Sequence, residues 1–150
     1  MSEDKKIEIL MQALTERYNA LHIIRDRVQN VCLWTLGLLV TAAGWLIQST
    51  HILAIEEKIF FTIIILGTLF ILRRYYLQDL ERGFKSQQKI QARIENVLGL
   101  CKAGVFSEDP IYPQEWLNAG KTTGKGKFFE HNYLLIYTGT IILILSIWLS

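Results

Sequence analysis

Three long stretches without a charged residue constrain the fold of this chain more than any other feature. Residues 31–50 form a run of 20, residues 59–72 a run of 14, and residues 133–149 a run of 17. A helix that crosses a bilayer needs about 20 predominantly apolar residues, and about 17 is the lower limit. The sequence therefore predicts an all-α integral membrane protein with three transmembrane helices, the second of which extends to residue 76.

The basic residues are distributed unevenly around these stretches. Only Lys58 lies in the short segment 51–58, whereas the other 15 of the 16 basic residues lie before residue 31 or within 73–127. The cytoplasmic flanks of membrane proteins carry the excess of lysine and arginine. We therefore expect a multi-pass inner-membrane protein whose N-terminus and 73–132 region face the cytoplasm and contact anionic lipid. The net charge of +2 is too small to indicate a nucleic-acid partner.

Apolar residues continue at helical spacing beyond the first two stretches. They recur in steps of three and four between residues 4 and 30, and a similar pattern runs from 73 to 101. Because the 51–58 turn is short, the two helices are predicted to pack together as a cytoplasmic, coiled-coil-like hairpin, which we call the stalk. The predicted seam of the stalk comprises Leu14, Tyr18, Leu21, Leu80, Phe84, Gln87, Gln91 and Ile94.

Two positions of this seam are polar where an apolar side chain is expected. Gln87 and Gln91 continue the spacing of the apolar residues around them. Either they mark a solvated, slightly splayed section of the stalk, or their buried amides specify the helix register or the oligomeric state.

The sequence thus predicts three regions. Residues 1–101 form the helix–span–span–helix hairpin, 102–132 form a cytoplasmic loop, and 133–149 form the third span. Glycine and proline interrupt any regular period in the loop, although a short helical turn is expected at 114–118. Asn132 is predicted to be the N-cap of the last helix. The adjacent His131 is either an interfacial anchor or a pH-sensitive latch.

Small and weakly polar residues share one face of the first span. Gly37, Thr41, Gly44 and Gln48 follow each other in steps of four, three and four. Such residues let helix backbones approach closely in lipid, so this packing face is predicted to contact either the second span or another copy of the chain. The side chains expected at the membrane interface are Arg73, Arg74, Tyr75, Tyr76, Lys121, Lys125 and Lys127.

The sequence shows no pattern typical of a catalytic or metal site, so no enzyme activity, metal or cofactor is expected. The segment 119–122 resembles part of a phosphate-binding loop, but the first glycine of that motif is replaced by Glu115. The three histidines and the two cysteines do not show metal-ligand spacing. Cys32 and Cys101 are expected to be reduced and buried as small apolar side chains.

The order of helix, span, tight outer turn, span and long cytoplasmic helix resembles the SLATT type of bacterial two-span effector domain. The resemblance covers residues 4–101 and concerns architecture, so no functional residue is transferred, and residues 102–149 are a departure from this architecture or an addition to it. It implies a membrane effector that oligomerises and disrupts the inner membrane in an anti-phage response linked to nucleotide second messengers. A cytoplasmic protein or a nucleotide signal is then the implied partner of the stalk.

Three hypotheses for function follow in order of preference. The first is a non-enzymatic, oligomeric membrane effector that perturbs or permeabilises the inner membrane when a signal reaches the stalk. The second is a membrane anchor or scaffold that recruits a cytoplasmic partner protein without forming a pore. The third is a small membrane-bound enzyme whose site is not recognisable from the residue pattern.

Overall fold

A computed structural model describes residues 2–49, 52–118 and 127–150, and these residues form helices and loops without a strand. The predicted all-α class is therefore confirmed for the described part of the chain. Two helices, α1 and α4, are long and apolar enough to cross a membrane. The elements in chain order are α1 (Glu3–Gln48), α2 (Ile55–Ile71), a π-helix (Leu72–Leu77), α3 (Gln78–Val97), a 3-10 helix (Gln114–Asn118) and α4 (Phe128–Leu149).

The first helix confirms the predicted continuation of the N-terminal segment into the first apolar stretch. α1 runs without interruption for 46 residues. Neither proline nor glycine precedes Gly37 in the sequence. The acidic side chains of Glu3 and Asp4 in the first turn stabilise the helix by interacting with the positive end of its dipole.

The second apolar stretch and the apolar pattern that continues it from 73 to 101 form three helical segments. α2 ends at Ile71 after 17 residues and passes into a π-helical stretch over Leu72–Leu77. In this stretch the Gln78 amide donates to the carbonyl oxygen of Arg73, five residues earlier. Gly83 does not interrupt the following segment, because it lies inside the regular helix α3. Whether α2 forms a third span stays a prediction.

α3 also ends earlier than predicted, at Val97. Gly99 has φ of +79°, a left-handed conformation that residues with a Cβ atom rarely adopt. Its amide donates to the carbonyl of Asn96, and the Leu100 amide donates to that of Glu95. These two bonds form a Schellman motif, which closes the helix and redirects the chain into the following loop.

The chain divides into two compact units, which are described separately. Unit 1 comprises Met1–Asp26 and Leu80–Gly126, and unit 2 comprises Arg27–Asp79 and Lys127–Ser150. Unit 1 therefore holds the stalk residues up to position 26 and from position 80, together with the 3-10 helix at the predicted turn 114–118. Unit 2 holds the three apolar stretches.

Residues from three helices form the core of unit 2. Buried Ala43 of α1 packs with Leu143 and Ile147 of α4. Partly buried side chains extend this cluster, namely Leu39, Leu46, Leu53 and Ile65. Gly139 lies where α4 packs against α1, because an added Cβ atom there would lie 2.8 Å from Leu36 Cδ1.

The predicted packing face lies elsewhere on unit 2. Gly37, Thr41 and Gln48 are exposed and Gly44 is half-buried. No atom lies within 4 Å of a Cβ atom added at either glycine. Within one copy of unit 2, α2 therefore does not cover this face at Gly37 or Gly44.

The predicted interface residues are placed in different surroundings. The guanidinium carbon of Arg73 lies 5.7 Å from the ring centre of Tyr133 and 5.5 Å from that of Tyr137. Arg74 donates to Gln78. Exposed side chains are those of Tyr75, Tyr76 and Lys127, and Lys121 and Lys125 lie outside the described residues.

The predicted N-cap role of Asn132 is wrong. α4 begins at Phe128, and Lys127 occupies the N-cap position. Asn132 lies one turn inside the helix, where it is buried and its amide donates to the carbonyl oxygen of Phe128. Phe128 and Phe129 extend the apolar helix towards its N-terminus. The helix therefore begins before Asn132, the polar residue that precedes the uncharged run.

Candidate functional site

A buried carboxylate marks the candidate site in unit 1. Glu95 lies in the last turn of α3 and is only 2% exposed. Its Oε1 accepts hydrogen bonds from the Tyr18 hydroxyl at 2.8 Å and from Gln91 Nε2 at 2.7 Å. Both donors are uncharged. The C-terminal end of a helix carries partial negative charge, so the position of Glu95 adds repulsion to the cost of its burial.

Tyr18 connects α1 to both the carboxylate and the loop that follows α3. Its hydroxyl lies 3.4 Å from the hydroxyl of Tyr112. Burial raises the pKa of Tyr18 well above its ordinary value, and the contacts with Tyr112 and Glu95 raise the pKa further. Tyr18 therefore remains a neutral hydrogen-bond donor across the physiological pH range.

The loop after α3 is held against the end of that helix by specific hydrogen bonds. The Tyr112 amide donates to the Leu100 carbonyl at 3.0 Å, and Gln114 Nε2 donates to the Cys101 carbonyl at 2.8 Å. The ring of Trp116 then packs on that of Tyr112, with 5.0 Å between the ring centres. Trp116 is thus positioned beside Tyr18 and the end of α3.

The two cysteines are free and buried. Burial and the nearby Glu95 carboxylate raise the pKa of the Cys101 thiol. Because the thiolate is the reactive form of cysteine, Cys101 acts here as a small apolar side chain, as the sequence predicts.

A cleft of about 390 Å³ opens beside this network. Three aromatic rings, a carboxylate and two amides contribute to its walls, together with the exposed Arg25. Its lining residues are Tyr18, Leu21, His22, Arg25, Phe84, Gln88, Gln91, Ala92, Glu95 and Trp116. The cleft combines apolar walls with a few polar groups, which is the composition of small-molecule sites.

The residues of the predicted stalk seam all lie in unit 1. Leu14 and Leu21 are buried, whereas Tyr18, Leu80, Phe84 and Ile94 are half-buried.

The two seam glutamines hydrogen-bond within unit 1. Gln87 Oε1 accepts a hydrogen bond from Arg17 Nη1 at 2.7 Å, and Gln91 donates to Glu95. The Arg17–Gln87 bond joins α1 to α3, as the register-setting alternative for the amides requires, whereas the Gln91–Glu95 bond lies within α3.

The sequence indicates that the large apolar loop residues, Tyr112 and Trp116 among them, pack on the stalk or lie at the membrane interface, but it did not identify Glu95 or the contact of Tyr112 with Tyr18. The available signal for Glu95 was its position four residues after Gln91, which places both side chains on one helix face. No sequence signal brings Tyr112 to Tyr18, because 94 residues separate them.

Comparisons with protein-family models, with curated proteins and with solved structures found no match for this chain. The described residues contain no group of three or more histidine, cysteine, aspartate or glutamate side chains placed to hold a metal ion.

Proposed function

We propose that the chain is a non-enzymatic inner-membrane effector with three spans and a cytoplasmic N-terminus. It oligomerises and perturbs or permeabilises the membrane in a bacterial defence response of the anti-phage type. The observation that carries this proposal is the exposed apolar surface of unit 2, part of which is the open face of small residues on α1.

That surface is unlike the surface of a soluble protein. α2 has no buried residue although most of its side chains are large and apolar. In the most apolar 18-residue window of α1, only 11% of the residues are buried. Soluble monomers rarely expose contiguous apolar patches above a few hundred Å², so lipid or further copies of the chain are the expected surroundings of these helices.

The orientation is tested by labelling engineered cysteines in intact cells. Ala54 and Ser86 are both exposed, and the native thiols are buried. We expect Ala54→Cys to react with a membrane-impermeant maleimide, whereas Ser86→Cys reacts only after the cells are permeabilised. Labelling of Ser86→Cys in intact cells, with Ala54→Cys protected, would reverse the proposed orientation.

The effector activity is tested at the open face of α1. Gly44→Leu adds a branched side chain where the backbones of two copies are proposed to approach, and no atom of the same copy lies within 4 Å of the added Cβ atom. We expect oligomer formation and dye leakage from expressing cells to fall together by at least tenfold. The matched control is Gly67→Leu, which also meets open space but lies outside the packing face.

Lys121→Ala provides a second control, because that lysine is assigned to the membrane surface and its loss should change leakage by no more than a few-fold. If Lys121→Ala abolishes leakage while Gly44→Leu has no effect, the effector proposal fails in this form and phosphate binding at 119–122 becomes the better explanation.

The unit 1 cleft favours the second candidate function, a membrane anchor that recruits a cytoplasmic partner. An anchor needs a site that recognises its partner, and it does not need to permeabilise the membrane. If expression of the wild-type chain at matched levels causes no leakage, while deletion of residues 2–26 releases a co-purifying protein, the anchor replaces the effector as the proposed function.

A further inference from the structure

The groups that hydrogen-bond to the buried Glu95 carboxylate do not neutralise its charge. Both hydrogen bonds that it accepts come from uncharged groups, Tyr18 and Gln91. Hydrogen bonds from neutral donors offset only part of the cost of burying an ion. Its place in the last turn of α3 adds the unfavourable helix dipole, although Glu95 also lines an open cleft.

Three aromatic residues line the cleft together with this carboxylate. Tyr18, Phe84 and Trp116 line the same cleft. The ring faces of tryptophan, tyrosine and phenylalanine attract ammonium and guanidinium groups, and the attraction increases when the cation is desolvated. A carboxylate beside such rings is a standard counter-charge for an organic cation.

We propose that this cleft binds an organic cation of the guanidinium, amidinium or ammonium class, with the Glu95 carboxylate as its counter-charge and Tyr18 and Trp116 as aromatic walls. A cation placed there neutralises Glu95 and accepts contacts from rings that the fold already positions. The cleft can accept a cation without rearrangement of its hydrogen bonds. Tyr112 packs on the ring of Trp116, and its hydroxyl lies beside that of Tyr18. The proposal does not depend on the effector activity.

Two other titratable groups face the cleft, and they limit the ligand. Arg25 and His22 line it, and both are exposed. Solvent screens exposed charges far more than buried ones, so Arg25 repels a cation weakly while Glu95 attracts it strongly. A ligand that also carries an acidic group would gain from Arg25 as well.

The volume of the cleft fits a small molecule or a single side chain of a partner protein. About 390 Å³ lies near the lower end of the ordinary range for small-molecule sites, roughly 300–1,000 Å³. The same chemistry is offered by a free metabolite and by an arginine side chain of a peptide, and the experiment below distinguishes these two sources.

Ligand-observed NMR titrations of the full chain in detergent measure the binding affinities of the probes. Benzamidine is the cationic probe, and benzamide is its neutral counterpart of nearly identical shape. We expect benzamidine to bind at least tenfold more tightly than benzamide. Acetyl-Gly-Arg-Gly-amide and its citrulline analogue form the peptide arm. Tighter binding of benzamidine than of the arginine peptide identifies a free cation as the ligand, and the reverse order identifies a side chain. Equal binding of each charged probe and its neutral counterpart would overturn the proposal.

Variants then locate the binding site. Glu95→Gln keeps an oxygen that can accept the bonds from Tyr18 and Gln91 but removes the charge, so it should abolish the preference for benzamidine over benzamide. Trp116→Leu should weaken benzamidine binding several-fold. The control Glu115→Gln removes an exposed carboxylate from the 3-10 helix and should leave binding unchanged.

Circular dichroism establishes that each variant is folded before its titration. If Glu95→Gln does not fold, the Trp116→Leu variant and the wild-type comparison of charged and neutral probes still decide the question. Preference for benzamidine that survives in folded Glu95→Gln would place the cation site elsewhere and refute this inference.

Discussion

Leu14→Asp should destabilise unit 1 by about 4 kcal/mol, the loss expected when a buried leucine is replaced by an unpaired charge. Leu14 is 6% exposed and lies in the part of α1 that belongs to unit 1. The substitution removes apolar burial and places a carboxylate where water cannot reach it. It leaves the lining of the cleft intact, because Leu14 does not contribute to that lining.

Hydrogen–deuterium exchange of the detergent-solubilised chain measures this effect region by region. Peptides from residues 3–26 and from 80–97 should exchange faster by more than a hundredfold in the variant, whereas peptides from α4 should keep their protection. The matched control is Met11→Asp, one turn earlier on the same helix, where the side chain is 51% exposed. Equal protection in Leu14→Asp and the wild type would show that unit 1 is not packed through this face of α1.

Gly139→Leu is expected to loosen unit 2 by about 1–3 kcal/mol, the usual range for overpacking a filled core. A Cβ atom at Gly139 would lie 2.8 Å from Leu36 Cδ1 and 3.2 Å from Leu39 Cδ1. Rotation of the two leucine side chains can relieve part of this overlap for alanine. It cannot accommodate a branched side chain, because Leu39 Cβ lies only 3.4 Å from the same point.

Thermal unfolding followed by the fluorescence of the tryptophans in unit 2 provides the measurement. Gly139→Leu should lower the midpoint by several degrees, Gly139→Ala by less, and Gly67→Leu should not lower it, because no atom lies within 4 Å of a Cβ atom at Gly67. If Gly139→Leu and Gly67→Leu unfold at the same temperature, α4 does not pack on α1 through this glycine.

The parts of this fold that were predictable from the sequence depend on local patterns. The unbroken α1 followed from an apolar period without a breaker, and the short helical turn at 114–118 was predicted in the segment between Pro113 and Gly120. The π-helix at Leu72–Leu77 was not predictable, because the residues of this segment are equally compatible with a regular α-helix. The early end of α3 depends on Gly99 adopting a positive φ value, and the pattern 73–101 continued beyond it.

The candidate site was hidden from sequence reasoning for a different reason. A glutamate in an amphipathic helix is usually exposed, and only its partners show that Glu95 is not. Its partner Tyr18 lies 77 residues away along the chain. Long-range contacts of this kind leave no periodic pattern in the sequence, so the burial of Glu95 could not be predicted from it.

The contacts of α4 have a consequence for the order in which the protein is made. Leu36 and Leu39 of α1 pack at Gly139, and Trp148 Nε1 lies 3.3 Å from Thr62 Oγ1 of α2. Each of these contacts joins residues synthesised early to residues synthesised much later. During translation the apolar faces of α1 and α2 are therefore exposed before α4 has been synthesised. Until then, lipid, the insertion machinery or a chaperone must cover them to prevent aggregation.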